Sequence, residues 1–249
     1  MKLNLVASFG LLCGLAAPAL AQKSVPVTSE PHHHLVYKSN RLRVFRVEVP
    51  AHSATLIHEH VVDYFWIAVG SSEFVNAAVG KPEAPVVAAD GSIHYTKGGF
   101  SHLARVDGAV PFRNVTLELP LAQTHVRNLC EVVLAGEPTD CPSAMRTAAM
   151  TYSGGTAFPA FETDQVRVTR LTAGPDEAIE ISKSEKPPTI VVVDNIDGTV
   201  HMACGKTPDA PTVTLHAKSG DTFPGKAGEH CLLHNAGKAP VRFLAVEFR

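Results

Sequence analysis

Residues 43–47, Arg-Val-Phe-Arg-Val, return 124 positions later as residues 167–171, Arg-Val-Thr-Arg-Leu. At the same shift, Ile57 falls on Ile181. Each copy places apolar side chains at alternate positions, a pattern typical of a strand with one buried face. A repeat of this length predicts that the chain folds as two copies of one β-rich unit.

A second block repeats at a shift of 129 and carries the residues that form turns. It places Gly91 on Gly220 and Gly99 on Gly228, and it also matches Leu103, Gly108, Pro111, Arg113 and Glu118 with Leu232, Gly237, Pro240, Arg242 and Glu247. The two blocks keep their order and differ by about five inserted residues. Two tandem domains of the same fold are therefore the simplest interpretation.

The fold class follows from the short apolar runs between these turns. Runs rich in Val, Ile, Phe and Thr are bounded by Gly, Pro, Asp and Ser, which predicts an all-β chain. A short helix is expected only around residues 142–150. We predict a first β-barrel at residues 35–130, a linker at 131–156 and a second β-barrel at 157–249.

The first 21 residues have the features of a secretory signal peptide. Lys2 precedes an apolar stretch that ends at Ala19-Leu20-Ala21, which matches a cleavage site with small residues. No other apolar run is long enough to span a bilayer. We therefore expect an exported protein, periplasmic or extracellular, without a membrane span.

The charge balance gives no sign of a polyanionic partner. The sequence has 22 basic and 24 acidic residues, and no cluster of Lys and Arg marks a nucleic-acid surface. The expected partner is a small-molecule ligand or substrate. A second copy of the chain, in a homo-oligomer, is the other candidate partner.

Four cysteines follow the signal peptide, and an oxidising compartment permits disulfides between them. Cys130 and Cys141 would close a short loop worth about 3 kcal/mol on the chain-entropy account. Cys204 and Cys231 form the second candidate pair. Sequence alone does not give the distance that this second pair requires.

The candidate functional residues are histidines in the first unit. His58 and His60 alternate around Glu59 in a strand-like segment, so both side chains would point to one face. His102 follows the turn at Gly99. Three convergent imidazoles suit a divalent transition metal (Fe, Mn, Zn, Ni or Cu) at a site that keeps an open position.

This spacing resembles the two motifs of the cupin superfamily. The first appears here as His58-Glu59-His60, then Asp63, six residues and Gly70. The second appears as Gly91, five residues, Lys97-Gly98-Gly99, two residues and His102, with Lys97 in place of a proline. The resemblance implies two tandem jelly-roll barrels. It also implies a function among those of the superfamily, which include dioxygenases, isomerases, lyases, oxalate-degrading enzymes and non-catalytic binding proteins.

The sequence departs from the two motifs at two positions. The family's glutamate ligand is missing, and either Asp63 or Tyr64 could complete the site or support it. Strand parity favours Tyr64 pointing inward, whereas Asp63 would need a bulge. Val106 stands where the second motif has asparagine.

In the second copy the ligand positions have changed. The shifts place Ser182 and Ser184 on His58 and His60, and they place Cys231 on His102. We therefore interpret the second barrel as structural or as a wall of the first barrel's pocket.

Two hypotheses follow for the function. One is an exported metal-dependent oxygenase, a dioxygenase for example, whose carboxylate-free ligand set favours an anionic substrate. The other is a non-catalytic binding or structural protein of the cell envelope with a stabilising metal. Residues 32–34, three consecutive histidines, are expected to be solvated; an arm over a barrel mouth or a surface metal site are the alternatives.

Overall fold

The computed structural model describes residues 23–141, 152–181, 190–194, 197–207, 210–226 and 228–249. The predicted signal peptide, the short helix expected around residues 142–150, and Ser182 and Ser184 lie outside these residues. Within the described part, the regular structure consists of β-strands and one 3-10 turn, Val27–Ser29. No helix of that part is long and apolar enough to cross a membrane.

The first unit is formed by strands that alternate between two facing sheets. Its strands are β1 (Val25–Pro26), β2 (His33–Lys38), β3 (Arg43–Val49), β4 (Ser53–Ala54), β5 (His58–His60), β6 (Asp63–Ala68), β7 (Ser72–Ala78), β8 (Ala84–Ala88), β9 (Ile93–Thr96), β10 (Phe100–Val106) and β11 (Phe112–Leu119). Sheet A has the order β1-β5-β10-β7-β8, with β4 also paired to β10, and sheet B has the order β2-β3-β11-β6-β9.

The second unit repeats this plan. Its strands are β12 (Val126–Asn128), β13 (Tyr152–Ser153), β14 (Thr156–Thr163), β15 (Val166–Ala173), β16 (Ala178–Ile181), β17 (Ile190–Asp194), β18 (Asp197–Gly205), β19 (Thr212–Lys218), β20 (Thr222–Pro224), β21 (His230–Asn235) and β22 (Val241–Phe248). Sheet C has the order β12-β14-β15-β22-β17-β20, and sheet D has the order β13-β16-β21-β18-β19. The predicted all-β fold with two tandem jelly-roll units is confirmed, although each unit is a pair of facing sheets rather than one closed barrel.

The unit boundaries differ from the predicted ones at both ends of the first unit. β1 and β2 join its sheets, so it begins before residue 35. β12 lies within the predicted first barrel but pairs with β14 of the second unit. The backbone N–H and C=O groups of a short strand need hydrogen-bond partners, and the edge of β14 supplies them for β12. For this reason β12 is part of the second unit.

Alternation within the strands divides the apolar side chains among three cores. Phe45 and Phe112 belong to a core between sheets A and B, and Phe243 belongs to a core between sheets C and D. The third core joins sheets B and C, where the rings of Phe65 and Phe161 meet at 5.1 Å. Both rings are fully buried, and each contributes about 1.5–3 kcal/mol. The two units are therefore held together by a shared apolar interface.

Both predicted disulfides are present, Cys130–Cys141 and Cys204–Cys231. The first closes the segment that follows β12. The second joins directly opposed residues of β18 and β21. Their presence agrees with an exported protein.

Candidate metal centre

The strand pairing of β5 with β10 brings the three predicted histidines together between sheets A and B. His58 lies directly opposite His102, and His60 lies opposite Phe100. The ring centroid of His102 is 4.5 Å from that of His58 and 5.4 Å from that of His60. His58 and His60 are 1% and 2% exposed, whereas Glu59 between them faces outward. The alternation of the strand thus sets both imidazoles on the inner face.

A one-residue bulge before β5 gives these histidines their inward direction. Ala54 pairs with Arg105 and His58 pairs with His102, so four residue steps on one strand face three on the other. Leu56 lies in this bulge, and both of its peptide groups have partners. Its N–H donates to Glu30 Oε1 at 3.2 Å, and its carbonyl accepts from His58 Nδ1 at 2.9 Å.

The register also corrects the predicted match between the two copies. In the second unit, Ala178 pairs with His234 and Ile181 pairs with Cys231, three steps against three. Ile181, rather than Ser182, therefore lies opposite the cysteine. An ungapped shift misses this because the first copy contains the bulge and the second does not.

His33 joins the site, and the expectation that residues 32–34 are solvated is wrong for this residue. Its ring nitrogen lies within 4.8 Å of those of His58 and His60, and its side chain is only 6% exposed. Pairing of β2 with β3 places His33 beside Val47, which is on the inner face of sheet B. Two features of the sequence could have indicated the inward position of His33: the alternation of β3 and the glutamate at position 30.

Each of the four histidines donates its Nδ1–H to a fixed acceptor. The acceptors are Glu30 Oε2 at 2.6 Å for His33, the Leu56 carbonyl for His58, Glu118 Oε1 at 3.2 Å for His60, and Asn76 Oδ1 at 2.7 Å for His102. These bonds fix one tautomer and leave the Nε2 lone pairs for a metal.

The unsatisfied nitrogens provide the test of whether a metal fits. Nε2 of His58 and Nε2 of His102 are buried and have no hydrogen-bond partner within the described chain. Buried polar atoms are rarely left in this way, and a metal ion is one of the few partners that satisfy several imidazoles at once. The donor set fits a divalent transition metal.

Burial keeps these imidazoles neutral. It lowers the pKa of His58 to about 4, that of His60 to about 3 and that of His102 to about 2. The cause is that a buried imidazolium loses its hydration. Because only the neutral ring ligates a metal, the site is in its binding form at neutral pH.

Two buried carboxylates stand behind the histidines. Glu30 is 2% exposed and accepts hydrogen bonds from His32 and His33. Burial by itself raises the pKa of Glu30, but these hydrogen bonds outweigh it and lower the pKa to about 2. Glu118 is fully buried and lies between His60 and the Arg43 guanidinium, 2.8 Å away. Burial raises the pKa of Glu118, and Arg43 opposes that rise.

Tyr64 and Asp63, the two residues suggested for the missing glutamate, have different positions. Tyr64 faces the cavity, as strand parity predicts, and its ring stacks on His60 at 4.0 Å. Burial raises its pKa, so it remains a phenol. Asp63 accepts bonds from the Tyr95 hydroxyl and the Gly98 amide and therefore fixes the turn before β10.

A cavity of about 260 Å³ adjoins the histidines. Its roof includes Val133, from the segment closed by the Cys130–Cys141 disulfide. Asn128 Oδ1 holds this segment by accepting a hydrogen bond from the Val133 N–H at 2.8 Å. Arg170 of the second unit forms an ion pair with Glu131 of the same segment at 2.5 Å. The second unit thus supports a wall of the first unit's cavity.

Comparison with known proteins identifies the fold. No family model matches the sequence, and no curated protein is similar to it in sequence. Among solved structures, AerE from Microcystis aeruginosa superposes with a TM-score of 0.56 at 10% identity, over 88% of this chain and 98% of that one.

Two further structures have the same arrangement. Oxalate decarboxylase from Bacillus subtilis gives a TM-score of 0.52 at 11% identity, covering 84% of this chain and 69% of that one. A cupin 2 conserved barrel domain protein from Leptotrichia buccalis gives 0.51 at 9% identity, over 87% and 88%. These likenesses concern the fold alone: the tandem units of this chain share the fold of the cupin barrel protein from Leptotrichia buccalis.

Proposed function

We propose that the first unit binds a divalent transition metal through His58, His60 and His102, with His33 as a fourth ligand. We further propose that the adjoining cavity is the site of a metal-dependent oxygenase reaction on a small organic molecule. The observation that carries the proposal is the group formed by His33, His58 and His60, whose ligand atoms lie within 4.8 Å of one another. His102 stands outside that group, but its ring centroid is 4.5 Å from that of His58 and its buried Nε2 has no hydrogen-bond partner within the described chain.

The coordination number decides between catalysis and a structural role. Four histidines close a tetrahedral site, which is typical of structural zinc. Iron, manganese, nickel or copper accept more ligands and leave positions open. The cavity beside the histidines favours the open case, because a closed structural site does not need space for a second molecule. Manganese deserves inclusion in any screen, since the Bacillus subtilis neighbour contains Mn(II) centres.

When bound, such a metal supplies Lewis-acid and redox chemistry to a molecule in the cavity. The chain's own residues orient the ligands and control protons. Asn76 fixes the ring of His102, and Glu118 fixes that of His60. Tyr64 keeps its proton at neutral pH because burial raises its pKa, and its ring stacks on that of His60.

The test begins with protein purified without chelator. Elemental mass spectrometry should give close to one metal ion per chain, and an oxygen-uptake screen with small organic compounds should give turnover. His102→Ala should lose both, whereas His230→Ala, whose residue adjoins Cys231 in the second unit, should lose neither. A metal content well below one ion per chain contradicts the proposal.

A non-catalytic envelope protein with a stabilising metal is the second candidate, and the closed set of four histidines favours it. The two candidates differ in the effect of His102→Ala on folding. An enzyme should lose activity with a modest loss of stability. A structural site should lose several kcal/mol of folding free energy together with its metal.

We also propose export to the periplasm or beyond the cell. The signal-like first 21 residues and the two disulfides support it. Mass spectrometry of the protein from cell fractions should find a mature N-terminus near Gln22 outside the cytoplasm. Full-length protein confined to the cytoplasm contradicts export.

A further inference from the structure

The lining of the cavity beside the histidines includes an aromatic wall of three rings. Trp66, Phe74 and Phe112 pack together there, with Phe74 and Phe112 stacked at 3.9 Å and Trp66 edge-on to Phe112 at 5.4 Å. An apolar cavity of about 150 Å³ holds benzene. The 260 Å³ here therefore have room for a substituted ring or a body of similar size.

The lining offers no fixed charge to a substrate. Among the described residues that line the cavity, none is Lys, Arg, Asp or Glu. Glu118 lies behind the lining and is already paired with His60 and Arg43. Since a buried charge without a counter-ion is costly, a charged group far from the metal would be excluded.

Neutral polar contact is available at the inner face of β11. Asn114 and Thr116 both line the cavity and are 4% and 3% exposed. The Thr116 hydroxyl donates to Asn114 Oδ1 at 2.7 Å, which leaves the carboxamide nitrogen for a neutral acceptor on a ligand. This contact can orient a molecule but cannot neutralise an ion.

We infer that the substrate carries one polar head that reaches the metal and an uncharged, mainly apolar body that packs on Trp66, Phe74 and Phe112. This inference rests on the proposed metal site. It also restricts the expected anionic substrate to one with a single negative charge. The metal can neutralise one negative group, but no residue of the described lining can neutralise a second. Small dicarboxylates are therefore poor ligands of this cavity.

The single tryptophan of the chain makes the test direct, because Trp66 reports occupancy of the cavity by its fluorescence. The mature, metal-containing protein is titrated with 4-methylbenzoate and with terephthalate. These probes share ring and head and differ in a methyl or a carboxylate at the far end. The methyl compound should bind at least ~100-fold more tightly. Equal or tighter binding of terephthalate or oxalate overturns the inference, and so does the absence of binding by 4-methylbenzoate.

Metal analysis of the same samples separates this inference from the proposed function. Selective binding of 4-methylbenzoate by protein that purifies without metal refutes the metal site and supports the apolar cavity. A full metal content with no preference between the probes supports the metal site and refutes the inference about the substrate.

A matched pair of variants locates the binding. Phe74→Leu should lower the affinity for 4-methylbenzoate by ~5-fold through lost apolar contact, with the metal content unchanged. Phe223→Leu makes the same change in the second unit, where Phe223 packs on the core between sheets C and D, and should leave the affinity unchanged. Equal effects of the two variants contradict binding at the aromatic wall.

Discussion

The two units use one pair of equivalent strands for different purposes. In the first, His58 of β5 faces His102 of β10; in the second, Ile181 of β16 faces Cys231 of β21. Cys231 is joined to Cys204 across the next strand pair. The second unit shows that this fold closes with apolar packing and a disulfide where the first assembles imidazoles. The pairing of these two strands therefore does not require the histidines.

The asparagine position shows the opposite exchange. Asn235 is fully buried in the second unit, where its amide nitrogen donates to the carbonyls of Ala173, Gly174 and Ala239. Val106 holds the corresponding place in the first unit, within the core. At this position the second unit has a residue that fixes a turn, and the first unit has an apolar core residue.

The largest expected difference between the units is in metal binding. His58→Ala should abolish it, because the remaining ligands no longer surround the ion; structural zinc sites supply ~10–16 kcal/mol. Ile181→Ala, the change opposite Cys231, should cost about 2–5 kcal/mol of stability through a cavity and leave the metal in place. Elemental analysis and chemical unfolding of both variants measure this. Loss of metal from Ile181→Ala would break the comparison.

The second prediction concerns the disulfide that occupies the second unit. Replacing Cys204 and Cys231 by alanine should cost ~3.5 kcal/mol, the chain-entropy value for a loop closed over 27 positions. Metal content should not change. Replacing Cys130 and Cys141 is the matched control with a shorter loop, and it should also disturb the cavity roof at Val133. Metal loss after removal of Cys204 and Cys231 would mean that the metal site depends on the disulfide of the second unit, which contradicts the comparison.

Acid should destabilise the first unit more than the second. The pKa of His58 falls to about 4 on folding, so between about 6.5 and 4 the unfolded chain binds more protons than the folded one. Stability of the metal-free protein should thus fall as the pH falls through this window, by about 3 kcal/mol from His58 at ~1.4 kcal/mol per pKa unit. Unfolding curves followed by Trp66 fluorescence at several pH values test this. His58→Ala should reduce the pH dependence of stability by about this amount, with His60 and His102 supplying the remainder, and His230→Ala should leave it unchanged.

Glu30→Gln should have the smallest effect of the series. Loss of the carboxylate behind His33 should reduce metal affinity 10- to 100-fold, the usual range for a residue that orients a ligand. Glu59→Gln is the control, because Glu59 lies between two proposed ligands but faces solvent. Competition with a metal chelator gives both affinities. Equal affinities would remove His33 from the site.

The sequence predicted the features that depend on periodicity and repetition. The all-β fold, the two units, both disulfides and the inward direction of Tyr64 follow from alternation, turn residues and compartment. His33 was missed because its position depends on which strand β2 pairs with, a tertiary choice that local pattern does not encode. The bulge at Leu56 was missed because an ungapped alignment cannot contain an extra residue. β12 was assigned to the wrong unit because its pairing with β14 is likewise decided in three dimensions.

The most direct test of the account is anomalous diffraction from crystals of the mature protein grown with its native metal. The account predicts one peak per chain in the first unit, close to the ~2.0–2.1 Å of a zinc–imidazole bond from Nε2 of His33, His58, His60 and His102. It predicts none beside Ile181 and Cys231. A first unit without a peak would contradict it, and so would an ion bound instead by His201 and His234 of the second unit, two half-buried residues whose ring centroids lie 5.5 Å apart.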